Sequence, residues 1–246
     1  MTLPLKIKLV LLGKNFNDFN LEKIRDHKSG IFTIISVEEI RENDIKTEED
    51  GLQYSVDKLK KKIAEDVGFD IVFAVTRSMI EDNYYGHRLG KKSCIISYFD
   101  IKEDILKDGN TIENFILRNL YAVSTLYVKS NGSLLPGDWS YLHQDTRGCL
   151  FDYNVLKTDI IYSLHKPRLC NECVASMNAS TIPHDYNTML NRELSGIRRP
   201  LYYSVRRFFI SHPIWSLTIA SVFSLLINLL ASLVYDFLKH TYHFFP

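Results

Sequence analysis

Four side chains in one stretch of the sequence have the types and spacing for metal chemistry. Cys170-Asn-Glu-Cys173 sets two thiols on one short turn, with Cys149 twenty residues before the pair and His143 shortly before that. Two thiolates on a tight turn can hold neighbouring corners of a tetrahedral ion, and a distant Cys and His can close its shell. The set His143, Cys149, Cys170 and Cys173 therefore predicts a structural site for Zn2+, the ion that suits mixed thiolate and imidazole donors. Other readings of these residues stay open. The cysteines are also compatible with plain core positions, Cys170 and Cys173 with a redox pair, and His165 or Asp145 with the role of fourth ligand. A Cys–His hydrolase drawing on Asp138, Asp145, Arg147 and Asp152 is a further reading. Against it, a zinc-bound Cys149 is no free nucleophile, and no oxyanion site is evident. Cys94 falls in a strand-like run and reads as core, while His27, His87, His184 and His212 stand alone and read as surface or loop residues.

The elements that must position these side chains follow from periodicity. Leu5–Leu12 alternates apolar and basic residues like a strand, and Ile31–Val37 is a short β-branched run. The acidic stretch Glu38–Gly51 reads as a solvated loop. Leu52–Val67 carries Leu52, Val56, Leu59 and Ile63 on one helical face. Phe69–Thr76 is a continuous apolar run, as buried strands are, and Ser93–Phe99 is a fourth strand, with a polar loop expected over Met79–Lys92. Thr111–Val128 predicts a long core helix starting at Asn110 or Thr111; shorter helices are expected over Asn154–Leu164 and from Asn171 to Met177. The fold class is thus α+β, a mixed β-sheet with packed helices. A net charge of +1 gives no global field toward nucleic acid, so no nucleic-acid partner is expected. The N-terminus shows no secretory signal, its first lysine falling inside the apolar stretch, so no disulfide framework is expected.

Near the C-terminus the solvent changes. Ile214–Tyr235 is 22 residues without a charge, roughly 33 Å as a helix, enough to cross the hydrocarbon core of a bilayer. Arg198, Arg199, Arg206 and Arg207 precede it, which predicts a cytoplasmic N-terminal domain on a single-pass, tail-anchored protein. Tyr202, Tyr203, Trp215, Tyr235 and Tyr242 lie near the expected interfaces, and Leu201–Ile210 mixes arginines and aromatics in a form suited to an anionic lipid surface. Ser216, Ala220, Ser224, Asn228 and Ser232 recur every fourth residue, a stripe that predicts a homo-oligomer through close helix packing. The alternative is that these serines satisfy their own helix. The expected organisation is a cytoplasmic domain over 1–180, a basic juxtamembrane linker or amphipathic helix over 181–212, a transmembrane helix over 213–238 and a short tail over 239–246.

The stretch Gln53–Met177 resembles the archaemetzincins, small zinc metalloproteases of the metzincin group. Gln53-Tyr54 with Leu59, Asp70-Ile-Val-Phe-Ala-Val-Thr76, Ser93-Cys-Ile-Ile-Ser97, His143-Gln-x4-Cys149-Leu-Phe and Cys170-x-x-Cys173 follow the order of that family's segments over about half the chain. The resemblance implies a metzincin-like fold whose central helix is Thr111–Val128. In the family that helix carries His-Glu-x-x-His, two zinc ligands and a general base on one face. Here it holds no histidine, and the motif occurs nowhere in the chain. Gln144 stands where the family has a structural cysteine, and Phe151 where it has a methionine beneath the metal. The resemblance therefore implies an erased catalytic site, with His143 recruited to the structural zinc. The functions in view are a non-catalytic, membrane-anchored module that senses or binds a protein, peptide or small signal, with output through its membrane helix as in membrane-acting defence effectors; a tail-anchored hydrolase or peptidase with a non-standard site around His143; and a scaffold that brings a partner to the membrane.

Overall fold

The computed structural model describes residues 2–14, 16–41, 53–134, 137–144, 146, 148–179, 182–183, 185–197 and 201–242. The chain forms two compact units, Met1–Arg199 and Pro200–Pro246.

In the first unit the strands are β1 (Leu5–Leu12), β2 (Phe32–Ile40), β3 (Gln53–Tyr54), β4 (Ile71–Thr76), β5 (Met79–Ile80), β6 (Gly86–Arg88) and β7 (Ser93–Ser97). The helices are α1 (Leu21–Arg25), α2 (Val56–Lys62), α3 (Lys102–Lys107), α4 (Ile112–Lys129), α5 (Ile160–His165), α6 (Asn171–Asn178) and α7 (Tyr186–Gly196). Five strands make one sheet in the order β2-β1-β4-β7-β6, parallel except for the antiparallel edge strand β6; β3 and β5 pair separately. The fold is α+β with a mixed sheet, as expected.

The period-2 rule explains the two faces of that sheet. Along β1, Ile7, Leu9 and Leu11 join the large core that holds α4, while Val10 and Leu12 join a smaller core with Tyr54, Leu59 and Ile63. Both faces are covered, so β4 is buried at every position. Helix α4 begins where Thr111 caps it, its side chain accepting from the Asn114 amide at 3.2 Å. It is buried on nearly all sides because it lies under the sheet and over the segment that carries the cysteines.

Several elements differ from expectation. β2 continues to Ile40, through the start of the expected loop, because Val10, Leu11 and Leu12 offer it partners at Glu38, Glu39 and Ile40. Residues 42–51 of that loop, and Leu52 at the start of the expected helix, lie outside the described residues. The expected helix over Leu52–Val67 is shorter: β3 occupies Gln53–Tyr54 and α2 ends at Lys62. The expected loop Met79–Lys92 contains β5 and β6, and β6 is a strand because its backbone pairs with Cys94–Ile96. Helix α5 starts only at Ile160, after a 3-10 turn over Lys157–Asp159. The first unit also runs past the expected boundary at 180: α7 buries Tyr186, Leu190 and Leu194, spaced four residues apart, in the main core.

The second unit holds α8 (Leu201–Ser211) and α9 (Pro213–Tyr242). Ser216 Oγ donates back to the Phe209 and His212 carbonyls at 3.1 and 2.8 Å, satisfying acceptors next to Pro213, which has no N–H to give. Pro213–Lys239 is long and apolar enough to cross a membrane, and none of its most apolar window is buried. Arg198 and Arg199 lie outside the described residues.

Candidate metal centre

Two short loops and one helix start bring the four donors together. His143 and Asp152 form a bridge in which the Tyr153 amide donates to the His143 carbonyl at 2.9 Å. This folds 143–153 back on itself. The segment Gly148–Leu150 is pinned to Arg168, whose carbonyl accepts from the Leu150 amide at 2.9 Å and whose amide donates to the Gly148 carbonyl at 3.0 Å. Gly148 sits at a φ of +149°, and a Cβ there would lie 3.3 Å from the Lys166 carbonyl oxygen. A glycine is therefore needed to make the turn beside Cys149. Cys170 caps α6, its sulfur accepting from the Cys173 amide at 3.4 Å. Both thiols of the pair thus sit at a helix N-terminus, where thiolate charge is favoured.

The ligand atoms of His143, Cys149, Cys170 and Cys173 all lie within 4.8 Å of one another. His143 Nε2 is 3.3 Å from Cys149 Sγ and 3.4 Å from Cys170 Sγ, and the sulfurs of Cys149 and Cys173 are 3.8 Å apart. Tetrahedral zinc, with Zn–S near 2.3 Å and Zn–N near 2.0 Å, sets edges of roughly 3.8 Å between sulfurs and roughly 3.5 Å between sulfur and nitrogen. The measured edges fit that polyhedron and are far too long for a disulfide. The donor set fits zinc and fills all four of its positions.

The surroundings prepare the donors. His143 Nδ1 lies 2.8 Å from the Gln144 carbonyl, which can only accept, so Nδ1 carries the proton and Nε2 faces the sulfurs. Burial opposes a charge on this imidazole, but the Gln144 carbonyl, the Cys149 sulfur and the Asp152 carboxylate together raise its pKa. Asp152 is buried, and its carboxylate accepts from the Thr146 amide and hydroxyl and from the Gly148 and Cys149 amides, each at 2.9 Å. Burial pushes its pKa up, and these donors overcome that and hold it below the ordinary carboxylate range. The same carboxylate stands 3.5 Å from His143 Nδ1. Cys149 is pulled down to about 5, first by the Cys173 thiol that donates to it, against burial, with the Phe151 and Cys170 amides and His143 adding. Cys173, the donor, moves up.

Of the alternative ligands, His165 is taken by Asp108 and stands apart from the cluster, because it closes α5 while the cluster is built on the start of α6. Asp145 and Arg147 lie outside the described residues. Asp138 is not part of the cluster; its side chain accepts from the Ser140 amide and its carbonyl from Arg88. Cys94 is core, as expected. His27 lies in a loop, as expected, and His87 on β6 instead; both are partly buried, which lowers their pKa values, and His27 Nε2 lies 2.8 Å from the Tyr121 hydroxyl.

A cavity of about 690 Å³ opens beside the metal loop, between the edge strand β6 and α4, with Tyr84, Tyr85, Trp139, Tyr141 and Tyr153 among its walls. Helix α4 turns Arg118, Asn119 and Ala122 toward it. Val123 and Leu126 line it as well, so the face of α4 toward the cavity carries no imidazole and no carboxylate. Arg118 itself is 2% exposed. Sequence reasoning passed over it, since an arginine on a long helix ordinarily points at water.

No protein-family profile matches the chain, and no curated protein matches it. Solved structures do. The chain is similar to archaemetzincins. That of Methanopyrus kandleri shares 13% identity at a TM-score of 0.48, covering 71% of this chain and 93% of its own. That of Archaeoglobus fulgidus, complexed with malonate, shares 16% at 0.41, covering 70% and 99%. A zinc-dependent peptidase from Methanocorpusculum labreanum shares 11% at 0.37, covering 70% and 100%.

Proposed function

We propose that this protein is a membrane-anchored binding module in which zinc is structural and the cleft beside it takes a ligand without cleaving it. One observation carries the reading. The metal cluster found among the described residues is closed by four protein donors, while the helix bordering the cleft lines it with Arg118, Asn119, Ala122, Val123 and Leu126, none of them an imidazole or a carboxylate. A catalytic zinc needs an open position for water, and a closed shell has none. The cleft has the size and aromatic walls of a ligand site. The first unit stands on the cytoplasmic side, α9 crosses the bilayer once, and the stripe Ser216, Ala220, Ser224, Asn228 and Ser232 lets copies associate, so that occupancy of the cleft is relayed to the membrane. A protein, peptide or small signal is the ligand, and membrane disruption is one output of such a design.

Purified full-length protein in detergent is expected to hold about one zinc per chain, as a single closed site requires. It is expected to leave peptide substrates intact with or without added zinc. Two metals per chain, or proteolysis lost in His143→Ala, would overturn this reading in favour of the hydrolase. A Cys149–His143 nucleophile pair is disfavoured by geometry, because the Cys149 side chain is fully buried and no carbonyl carbon can reach its sulfur.

A further inference from the structure

The structure assigns Arg118 as the buried counter-cation of the zinc centre and the residue that positions its loop against the central helix. Its guanidinium is among the largest fully enclosed side chains of the protein. Nε donates to Ser163 Oγ at 3.0 Å, one terminal nitrogen to Asn119 Oδ1 at 3.2 Å, and the other to the Leu150 carbonyl at 2.8 Å and the Cys149 carbonyl at 3.4 Å. Every named acceptor is neutral. Among the described residues no carboxylate oxygen comes within the 4.0 Å of an ion pair with it. Asp152, on the same loop, has both oxygens committed to Thr146, Gly148 and Cys149.

An enclosed cation without a nearby anion is costly, and proteins rarely keep one. The metal centre resolves the imbalance. Three thiolates and a neutral imidazole around a divalent ion leave one net negative charge on the centre. Arg118 binds the carbonyls of a ligand residue, Cys149, and of its neighbour Leu150, so its charge lies against the backbone of the anionic site. The planar fork reaches Ser163 on α5 and the metal loop at once, a span that a single ammonium cannot cover. Arg118 and the loop residues Leu150, Phe151 and Asp152 also line the cleft, so zinc occupancy and the shape of the cleft floor are linked through one side chain. This inference depends on zinc in the cluster and is independent of the binding-module reading.

The test uses the full chain in detergent with Arg118→Met and Arg118→Lys. Zinc affinity is read by competition with a chromophoric chelator, the ligand set by the charge-transfer and d–d bands of the cobalt-substituted protein, and stability by melting the loaded and metal-stripped forms. The methionine variant should keep the three-thiolate cobalt spectrum while its zinc affinity falls by about 10–100-fold, the range seen when outer partners of metal ligands are removed. Its melting temperature should fall when loaded yet equal or exceed that of the wild type when stripped, because methionine leaves no stranded cation. The lysine variant should retain affinity to within roughly tenfold by keeping the charge. Equal losses of melting temperature in loaded and stripped methionine variant, with zinc affinity unchanged, would reduce Arg118 to a packing residue and overturn the inference. Should the methionine variant not fold, the lysine variant decides: retention within that tenfold supports the assignment, and a larger loss overturns it.

Discussion

Helices α4 and α9 are both long and both dominated by apolar residues, yet they solve opposite problems. Fifteen of the 18 residues of α4 are buried, among them Arg118, Asn119 and Thr125, whose polar groups find hydrogen-bond partners inside the first unit. In α9 every described side chain from Ile214 to Lys239 is exposed except Ser216, with Leu217 at 70% and Leu226 at 51%. A soluble unit cannot leave so continuous an apolar surface in water. The lesson is that hydropathy fixes only that a helix must leave water. In α4 the polar side chains Arg118, Asn119 and Thr125 reach partners within the first unit, whereas α9 is long and apolar enough to cross a membrane and buries none of its most apolar window.

The sharpest way to break the comparison is to put one charge into each helix. Leu120→Arg places an unpaired cation in the core, and the loss should exceed about 4 kcal/mol, the class of buried unpaired charge. Circular dichroism should find no cooperative melt for the first unit. Leu226→Arg should leave that melt unchanged and instead weaken membrane insertion by about 2.5–3.5 kcal/mol, seen as protein released by alkaline carbonate. Loss of the first-unit melt in both variants would mean that α9 is a core helix. A smaller cut preserves the contrast. Leu120→Ala should cost about 2–5 kcal/mol by opening a cavity, whereas Leu226→Ala should not move the melting of the first unit at all.

The same contrast explains how far the sequence could be read. β1 was legible because Ile7, Leu9 and Leu11 serve one core and Val10 and Leu12 the other, and β4 because it is apolar throughout. The metal cluster was legible because Cys170 and Cys173 lie on one turn. β6 was not, since Gly86, His87 and Arg88 have no apolar alternation and become a strand only by pairing with β7. Helix α7 falls in the stretch expected as a linker or amphipathic helix and not in the core domain, because its core stripe is thin, three residues among polar neighbours. Arg118 was invisible because its partners at Cys149, Leu150 and Ser163 lie 31, 32 and 45 residues away. Long-range polar satisfaction leaves no local pattern.

Acid should separate the units next. His27 and His87 are partly buried, and burial is the main cause that lowers both pKa values from 6.5, against nearby carboxylates. Below pH 6.5 the unfolded chain therefore binds protons that the folded chain resists. Their contribution to stability is fully present above about 6.5 and is lost as the pH falls through the depressed folded values. His27→Gln, which can still bond the Tyr121 hydroxyl without taking a proton, should shift the acid limb of the first unit's melting curve to lower pH. The helicity of α9, with no ionisable group from Ile214 to Val234, should stay flat over the same range. An acid limb unmoved in His27→Gln would assign the loss to other groups.

The smallest expected effect tests whether α9 is a passive anchor. An amide in hydrocarbon seeks a partner, and Asn228 lies in register with Ser224 and Ser232 on the small-residue stripe. If copies meet along that stripe, Asn228→Leu should weaken self-association in bilayers by about 0.6–2 kcal/mol, the measured span for polar contacts between membrane helices. Ile227→Leu, off the stripe, should change nothing. The readout is the dimer fraction from cysteine-free crosslinking or energy transfer as lipid dilution is varied. Equal curves for both variants would confine the polar residues of α9 to bonding their own helix, as Thr218 Oγ1 does to the Ile214 carbonyl at 3.0 Å. The helix would then hold the first unit at the membrane without linking one copy to the next.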